Sequence, residues 1–342
     1  MLARARPGTL EAIVRDLSSR DFRVRVEAAE HATTVVGEDE GETRTVIVSA
    51  LMKTLTDEHE AVRSAAAIAL ADLGANEALP ALLIAADDDS ALVRQMAITA
   101  LGELGDARAH ERIRRALGDA RPEVRFQAMV AFPRIARATG RDDDDIWNAL
   151  AIGIEDEDPF VRSHAAEACA ELADGAALPP NVGDRLARRS RDDDETIDTR
   201  VASAIALGES GDARAAPTLL AVARGDLKEK NPRRVQAVFE LLGELGIEEA
   251  RPIAIDAVFS FKSRFSDPSR RSAALVALIR LGERRAVDHV LSELEARAWE
   301  RKVSAIGVVV RTSLTEARGK LEALRSDPMV SEMAIDALAR LA

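Results

Sequence analysis

One recurrence constrains this chain more than any other feature. The pattern D-x-x-x-x-V-R returns along it, followed ten residues after the arginine by a leucine-like residue and often a glycine. Asp57 leads to Val62-Arg63 and Leu73-Gly74; Asp88 to Val93-Arg94 and Leu104-Gly105; Asp119 to Val124-Arg125 and Ile135. Asp156 leads to Val161-Arg162 and Leu172, and Asp194 to Thr199-Arg200 and Ser210-Gly211. Weaker copies hold Val24-Arg25, Arg270-Arg271 with Leu281-Gly282, and Val330-Ser331 with Leu341. The stretch RRVQAVFELLGELG keeps the register through Leu245-Gly246 but has Val235 at the arginine position. Arg63, Arg94 and Arg125 are spaced by 31 residues, and the next two intervals are 37 and 38. Repeats of this size mark a solenoid, whose units bury their apolar faces only against neighbours.

Each unit reads as helical. Val93, Ala97, Ala100, Leu101 and Leu104 recur at three and four residues and form one apolar stripe. Gly105 follows as the residue that closes the helix. Second helices follow in ALPALLIAA, ARAAPTLLAVA and EARPIAIDAVF, with Pro80, Pro217 and Pro252 early in them, where a missing N–H is tolerated. The expected architecture is all-α, with about nine to ten antiparallel helix pairs. It is read as one continuous domain over residues 1–342, with less regular capping repeats at 1–50 and 290–342.

The arginine needs an explanation, because the N-terminal end of a helix repels a cation. An aspartate precedes it by six residues in five units, placed in the turn before the helix: Asp57, Asp88, Asp119, Asp156 and Asp194. That aspartate is expected to cap the helix. The arginine of one unit (Arg63, Arg94, Arg125, Arg162, Arg200) is expected to reach the aspartate of its neighbour, making a structural ladder.

These residues resemble HEAT repeats, particularly the short bacterial PBS-lyase HEAT-like type, most strongly over Asp57–Gly105 and Asp156–Leu172. The resemblance implies a right-handed superhelix with the Val-Arg helices lining the concave side, and a protein-binding scaffold. It also raises three other relatives. Deoxyhypusine hydroxylases place His-Glu pairs after the Val-Arg; here Ser64-Ala65, Gln95-Met96, Phe126-Gln127 and Ser163-His164 stand there, and only His164 is reminiscent. The pairs His59-Glu60 and His110-Glu111 sit before the motif and at a helix edge. Alkylpurine DNA glycosylases have basic, aromatic-rich faces, which this chain lacks. A phycobilin-lyase-like cofactor-transfer or chaperone factor is the alternative reading, though no residue marks it.

Composition narrows the classes. A chain of 342 residues exceeds one ordinary compact core unless it grows by repetition. Hydrophobic residues make up 47% and aromatics only 3%, with no Tyr, so the core must be Ala, Leu, Val and Ile. The net charge of −12 argues against nucleic acid and acidic membranes as partners. It is uneven: residues 1–220 carry −15 and residues 221–342 carry +3. A single cysteine permits no intrachain disulfide, and no apolar run approaches a membrane span. A cytoplasmic monomer without cofactor or metal is expected.

Cys169 falls on the apolar stripe and reads as a packed hydrophobe. The acidic runs 87–89, 142–145 and 192–194 lack calcium-loop spacing and read as helix-start carboxylates. Nine residues after each arginine stand Asp72, Glu103, Arg134, Glu171, Glu209, Glu244 and Arg280, a mostly acidic row off the apolar stripe. Asp72, Glu103, Glu171, Glu209 and Glu244 are therefore candidates to bind a basic peptide or helix, with Met96, Val130 and Ile205 as apolar neighbours. The stretch VFSFKSRFSDPSRR interleaves Phe261 and Phe265 with Lys262 and Arg264, and is a second candidate contact site.

Overall fold

The computed structural model describes residues 9–36, 41–139, 144–260 and 267–341. The candidates Phe261, Lys262, Arg264 and Phe265 lie outside the described residues. The described residues form twenty α-helices and no strand. They divide into two compact units, Met1–Leu172 and Ala173–Ala342.

The first unit holds five helix pairs: α1 (Leu10–Asp16) with α2 (Phe22–Val36), α3 (Glu42–Thr54) with α4 (Glu60–Asp72), α5 (Leu79–Ala85) with α6 (Ala91–Leu104), α7 (His110–Ala116) with α8 (Pro122–Thr139), and α9 (Asp144–Gly153) with α10 (Pro159–Ala173). Helices α2, α4, α6 and α8 pack side by side as one layer. The second unit holds five more: α11 (Pro180–Arg191) with α12 (Ile197–Glu209), α13 (Ala216–Arg224) with α14 (Pro232–Glu244), α15 (Ala250–Phe259) with α16 (Pro268–Arg280), α17 (Arg284–Glu293) with α18 (Trp299–Thr312), and α19 (Arg318–Leu324) with α20 (Ser331–Arg340). Its layer runs α12, α14, α16, α18, α20. The core is small and aliphatic: Val62, Ala66, Ala67 and Leu70 of α4, and Val93, Ala97, Ile98 and Leu101 of α6, are fully buried.

The two glycines of the LGELG motif do different work. The second takes a left-handed backbone after the helix, as at Gly105 (φ 65°) and Gly246 (φ 64°). The first allows close approach. A Cβ on Gly102 would stand 2.7 Å from the Cβ of Ala131, and one on Gly243 would stand 2.7 Å from the Cα of Ala277. Only glycine lets α6 lie this near α8, and α14 this near α16.

The aspartates sit two residues before the cap position expected of them. Asp57 Oδ1 accepts the His59 N–H at 2.9 Å, and Asp88 Oδ1 accepts the Ser90 N–H at 2.8 Å. His59 and Ser90 are themselves the N-cap residues of α4 and α6. Each aspartate thus folds the turn leading into the helix rather than capping it. Asp119 and Asp156 do the same for the N–H groups of Arg121 and Asp158.

That turn explains the arginine. Arg94 Nη1 donates to the carbonyls of Asp88 (2.9 Å) and Asp89 (3.1 Å), so the guanidinium meets the oxygens of its own turn. Its Nε and Nη2 then grip Asp119 of the next pair at 2.7 and 2.9 Å. Arg63 holds Asp88 at 2.7 and 2.7 Å, and Arg125 holds Asp156 at 2.8 and 2.8 Å. Arg25 reaches Asp57 with Nη2 at 2.8 Å. Arg162 clamps the Asp156 and Glu157 carbonyls of its own turn.

The second unit departs from this pattern. Asp194 is exposed, and its N–H bonds to Asp192. Thr196 caps α12 in its place, and Arg200 pairs with Asp193 at 2.9 Å. The expected role of Asp194 is corrected accordingly. Lys302 and Asp327, which the arginine pattern does not reveal, form a rung at 2.6 Å.

Burial acts to raise the carboxyls of Asp88 and Asp119. Hydrogen bonds from Arg63 and Arg94, and from the Ser90 and Arg121 N–H groups, outweigh it and hold both below the ordinary aspartate value. A carboxyl lowered in the folded state stabilises the fold above its unfolded value. That contribution is lost as pH falls from there through the folded value. The rungs therefore weaken only on the acid side of ordinary aspartate titration.

Two stability measurements test these points. Arg125 and Asp156 have side chains only 8% and 9% exposed. Arg125→Ala should lower urea stability by about 3 kcal/mol, because it strands a buried carboxylate. Arg125→Lys should recover only part, since an ammonium cannot hold both carboxylate oxygens and the turn carbonyl. An unchanged urea midpoint for Arg125→Ala would refute the rung. Ser313 takes a left-handed backbone (φ 50°) eleven residues after Lys302, where the arginine repeats place Gly74, Gly105 and Gly282. Ser313→Gly should raise stability by about 1 kcal/mol by removing that strain; a lower midpoint would contradict it.

Candidate functional site

Eleven residues make just over three helical turns, so positions two before and nine after the repeat arginine share one face. In the first unit these pairs are Ala61 with Asp72, Leu92 with Glu103, Glu123 with Arg134, and Phe160 with Glu171. One end carries Ala61, Leu92 and Phe160 with Glu123 among them, and the other end is charged throughout. Leu92 is 43% exposed and Phe160 55%, unusual for large apolar side chains. Phe160 belongs to a ring cluster: its centroid lies 4.8 Å from Phe126 and 4.3 Å from His164, with His164 4.4 Å from Phe126. His164 is fixed in it by the Phe160 carbonyl, 2.8 Å from Nδ1, and lies 3.7 Å from Glu167.

Asp72, Glu103 and Glu171 are all exposed at the other end. Arg134 pairs with Glu103 at 3.4 Å, so the row is interrupted at α8. Met96 and Val130 are half-buried between the two ends. The ring cluster is the feature sequence reasoning missed. Its members stand at different offsets from their arginines, and only the packing of α8 against α10 brings them together.

In the second unit, Glu209 and Glu244 lie exposed at the ends of α12 and α14, and Ile205 is half-buried. Although Glu209 is exposed at the surface, desolvation by the atoms packed around it, and then the charge of Glu244, hold its carboxyl above its ordinary value. Glu244 also pairs with Arg280 at 2.6 Å, which closes the row at α16.

The remaining candidates have structural surroundings. Cys169 is fully buried, and burial pushes its thiol up, away from the thiolate a nucleophile needs. In the first acidic run, Asp87 pairs with Arg112 and Asp88 with Arg63. Asp142 and Asp143 lie outside the described residues. Among the described residues, no group of three His, Cys, Asp or Glu side chains is placed to hold a metal ion, and no helix is long and apolar enough to cross a membrane.

Comparison with known proteins agrees with this architecture. Residues 9–94 and 82–135 match the family model for HEAT repeats, and residues 199–225 match that for the PBS lyase HEAT-like repeat. No curated protein matches the chain in sequence. Among solved structures, YibA of Escherichia coli is 19% identical over 80% of this chain and 92% of its own, with a TM-score of 0.58. Kap95, in its complex with Nup1, is 14% identical over 96% of this chain and 51% of its own, with a TM-score of 0.61; the chain spans about half of that protein. The CpcE–CpcF complex of phycocyanin lyase from a Nostoc species is 21% identical over 71% of this chain and 88% of its own, with a TM-score of 0.44. Repeat sequence, helix pairing and structural likeness converge, and the chain is a HEAT-repeat protein with repeats of the PBS-lyase HEAT-like type.

Proposed function

We propose that this chain is a noncatalytic scaffold, and that the exposed face of its first unit takes a basic, amphipathic segment of a protein partner. The observation that carries the reading is the sharing of one face by the Phe126–Phe160–His164 cluster and by Asp72, Glu103 and Glu171. An exposed aromatic cluster offers the anchor on which interface energy concentrates. A row of carboxylates adds little affinity per pair but speeds the approach of a cationic partner. The fold accommodates protein partners, since Kap95 was solved with Nup1.

The test is capture of partners from the native cell, followed by association kinetics at two salt concentrations. Phe160→Ala should weaken the captured partner about tenfold or more. Asp72→Lys with Glu171→Lys should slow association and flatten its salt dependence, with helical content unchanged. Wild-type kinetics in both variants would overturn the proposal. The phycobilin-lyase alternative separates from it by an absorbance titration with a tetrapyrrole, which a scaffold leaves unchanged.

A further inference from the structure

Among the described residues, Arg271 is a ladder cation whose register offers it no acceptor. Arg63 finds Asp88, Arg94 finds Asp119, and Lys302 finds Asp327, each 25 residues on. Arg271 stands at the same register, but the residue 25 further on is Ala296. Its neighbour Glu295 is engaged by Lys320. Arg271 Nη2 donates to His289 Nε2 at 3.2 Å, and its Nε is buried with no hydrogen-bond partner. A buried guanidinium donor left unmade is costly, so it marks a place where an acceptor belongs.

The same arginine is one of the residues lining a cavity of about 300 Å³, with Ser272, His289, Glu293, Glu300 and Arg301. Its other charges are largely spoken for. Glu293 is held by Arg301, with His289 3.6 Å away. Glu300 is exposed at the rim.

We propose that Arg271 is an open rung, and that this cavity binds a carboxylate supplied from outside the chain. One oxygen would take the Nε–H, and the other would take Nη2 in place of the histidine nitrogen, reproducing the two-donor grip of the closed rungs. The volume suits one acidic side chain or a small carboxylic acid. Glu293 and Glu300 disfavour a doubly charged phosphate more than a single carboxylate. The site is separate from the face assigned to a basic partner, so either reading can fail alone.

The full chain is titrated calorimetrically with a blocked alanyl-glutamyl-alanine tripeptide, its glutamine counterpart, propionate and inorganic phosphate. The glutamyl peptide or propionate should bind saturably, the glutamyl peptide at least about tenfold tighter than its glutamine counterpart, and Arg271→Gln should abolish the binding. Tighter binding of the peptide assigns the carboxylate to a protein partner; equal or tighter binding of propionate assigns it to a free acid. Ala296→Asp should close the rung from within, raising the denaturation midpoint and abolishing binding of both probes. Glu300→Gln should tighten binding and leave the midpoint unchanged. The proposal fails if neither carboxylate binds, if phosphate binds best, or if Ala296→Asp binds like the wild type. It fails equally if Glu300→Gln lowers the midpoint as far as Arg271→Gln, because Glu300 would then be the acceptor.

Discussion

The contact on which the rest depends is the guanidinium that holds its own turn and its neighbour's aspartate together. Arg94 touches the carbonyls of residues 88 and 89 and the carboxylate of Asp119. Three groups that would each be costly to bury unpaired satisfy one another. The helices they join are short, seven residues in α5 and fourteen in α6, too short to hold shape alone in water. Their core is mostly alanine, leucine, valine and isoleucine, whose side chains specify depth better than direction. The rung supplies direction. Buried ion pairs are a weak source of net stability, but a mispaired one is heavily penalised. The rungs thus select the register in which each pair meets the next.

Much of the fold was legible because its signals are local. Apolar spacing, the glycine after each helix and early prolines such as Pro80 and Pro217 define helices without reference to distant residues. Features that depend on packing were less legible. In LGELG, both glycines look like helix ends, yet Gly102 is there because Ala131 comes close. In the run 192–194, spacing alone selects Asp194, whereas Arg200 takes Asp193 and Thr196 supplies the cap. Lys302 went unseen because no Asp-to-Val-Arg frame surrounds it.

The candidate face divides the same way. Its acidic row shows in sequence, because charge recurs at a fixed offset. Its ring cluster does not, because Phe126 follows its arginine by one residue while Phe160 precedes its own by two. Arg134 and Arg280 read in sequence as gaps in the row. Their pairing with Glu103 and Glu244 makes them neutralising members of it. The charge of the row is therefore set locally, by such pairings, and not by the total charge of the chain.

The rung from Arg125 to Asp156 spans 31 residues, where those from Arg63 and Arg94 span 25, yet its Nε–Oδ2 distance is 2.8 Å against 2.7 Å. The gauge between successive pairs is therefore spatial and indifferent to how much chain lies between them. A mutation that lengthens a connecting turn leaves the pitch of the neighbouring helices alone. Such a fold can accumulate insertions at its turns while the faces of α4, α6 and α8 keep their spacing. New recognition loops can then be added in evolution without rebuilding the surface beside them.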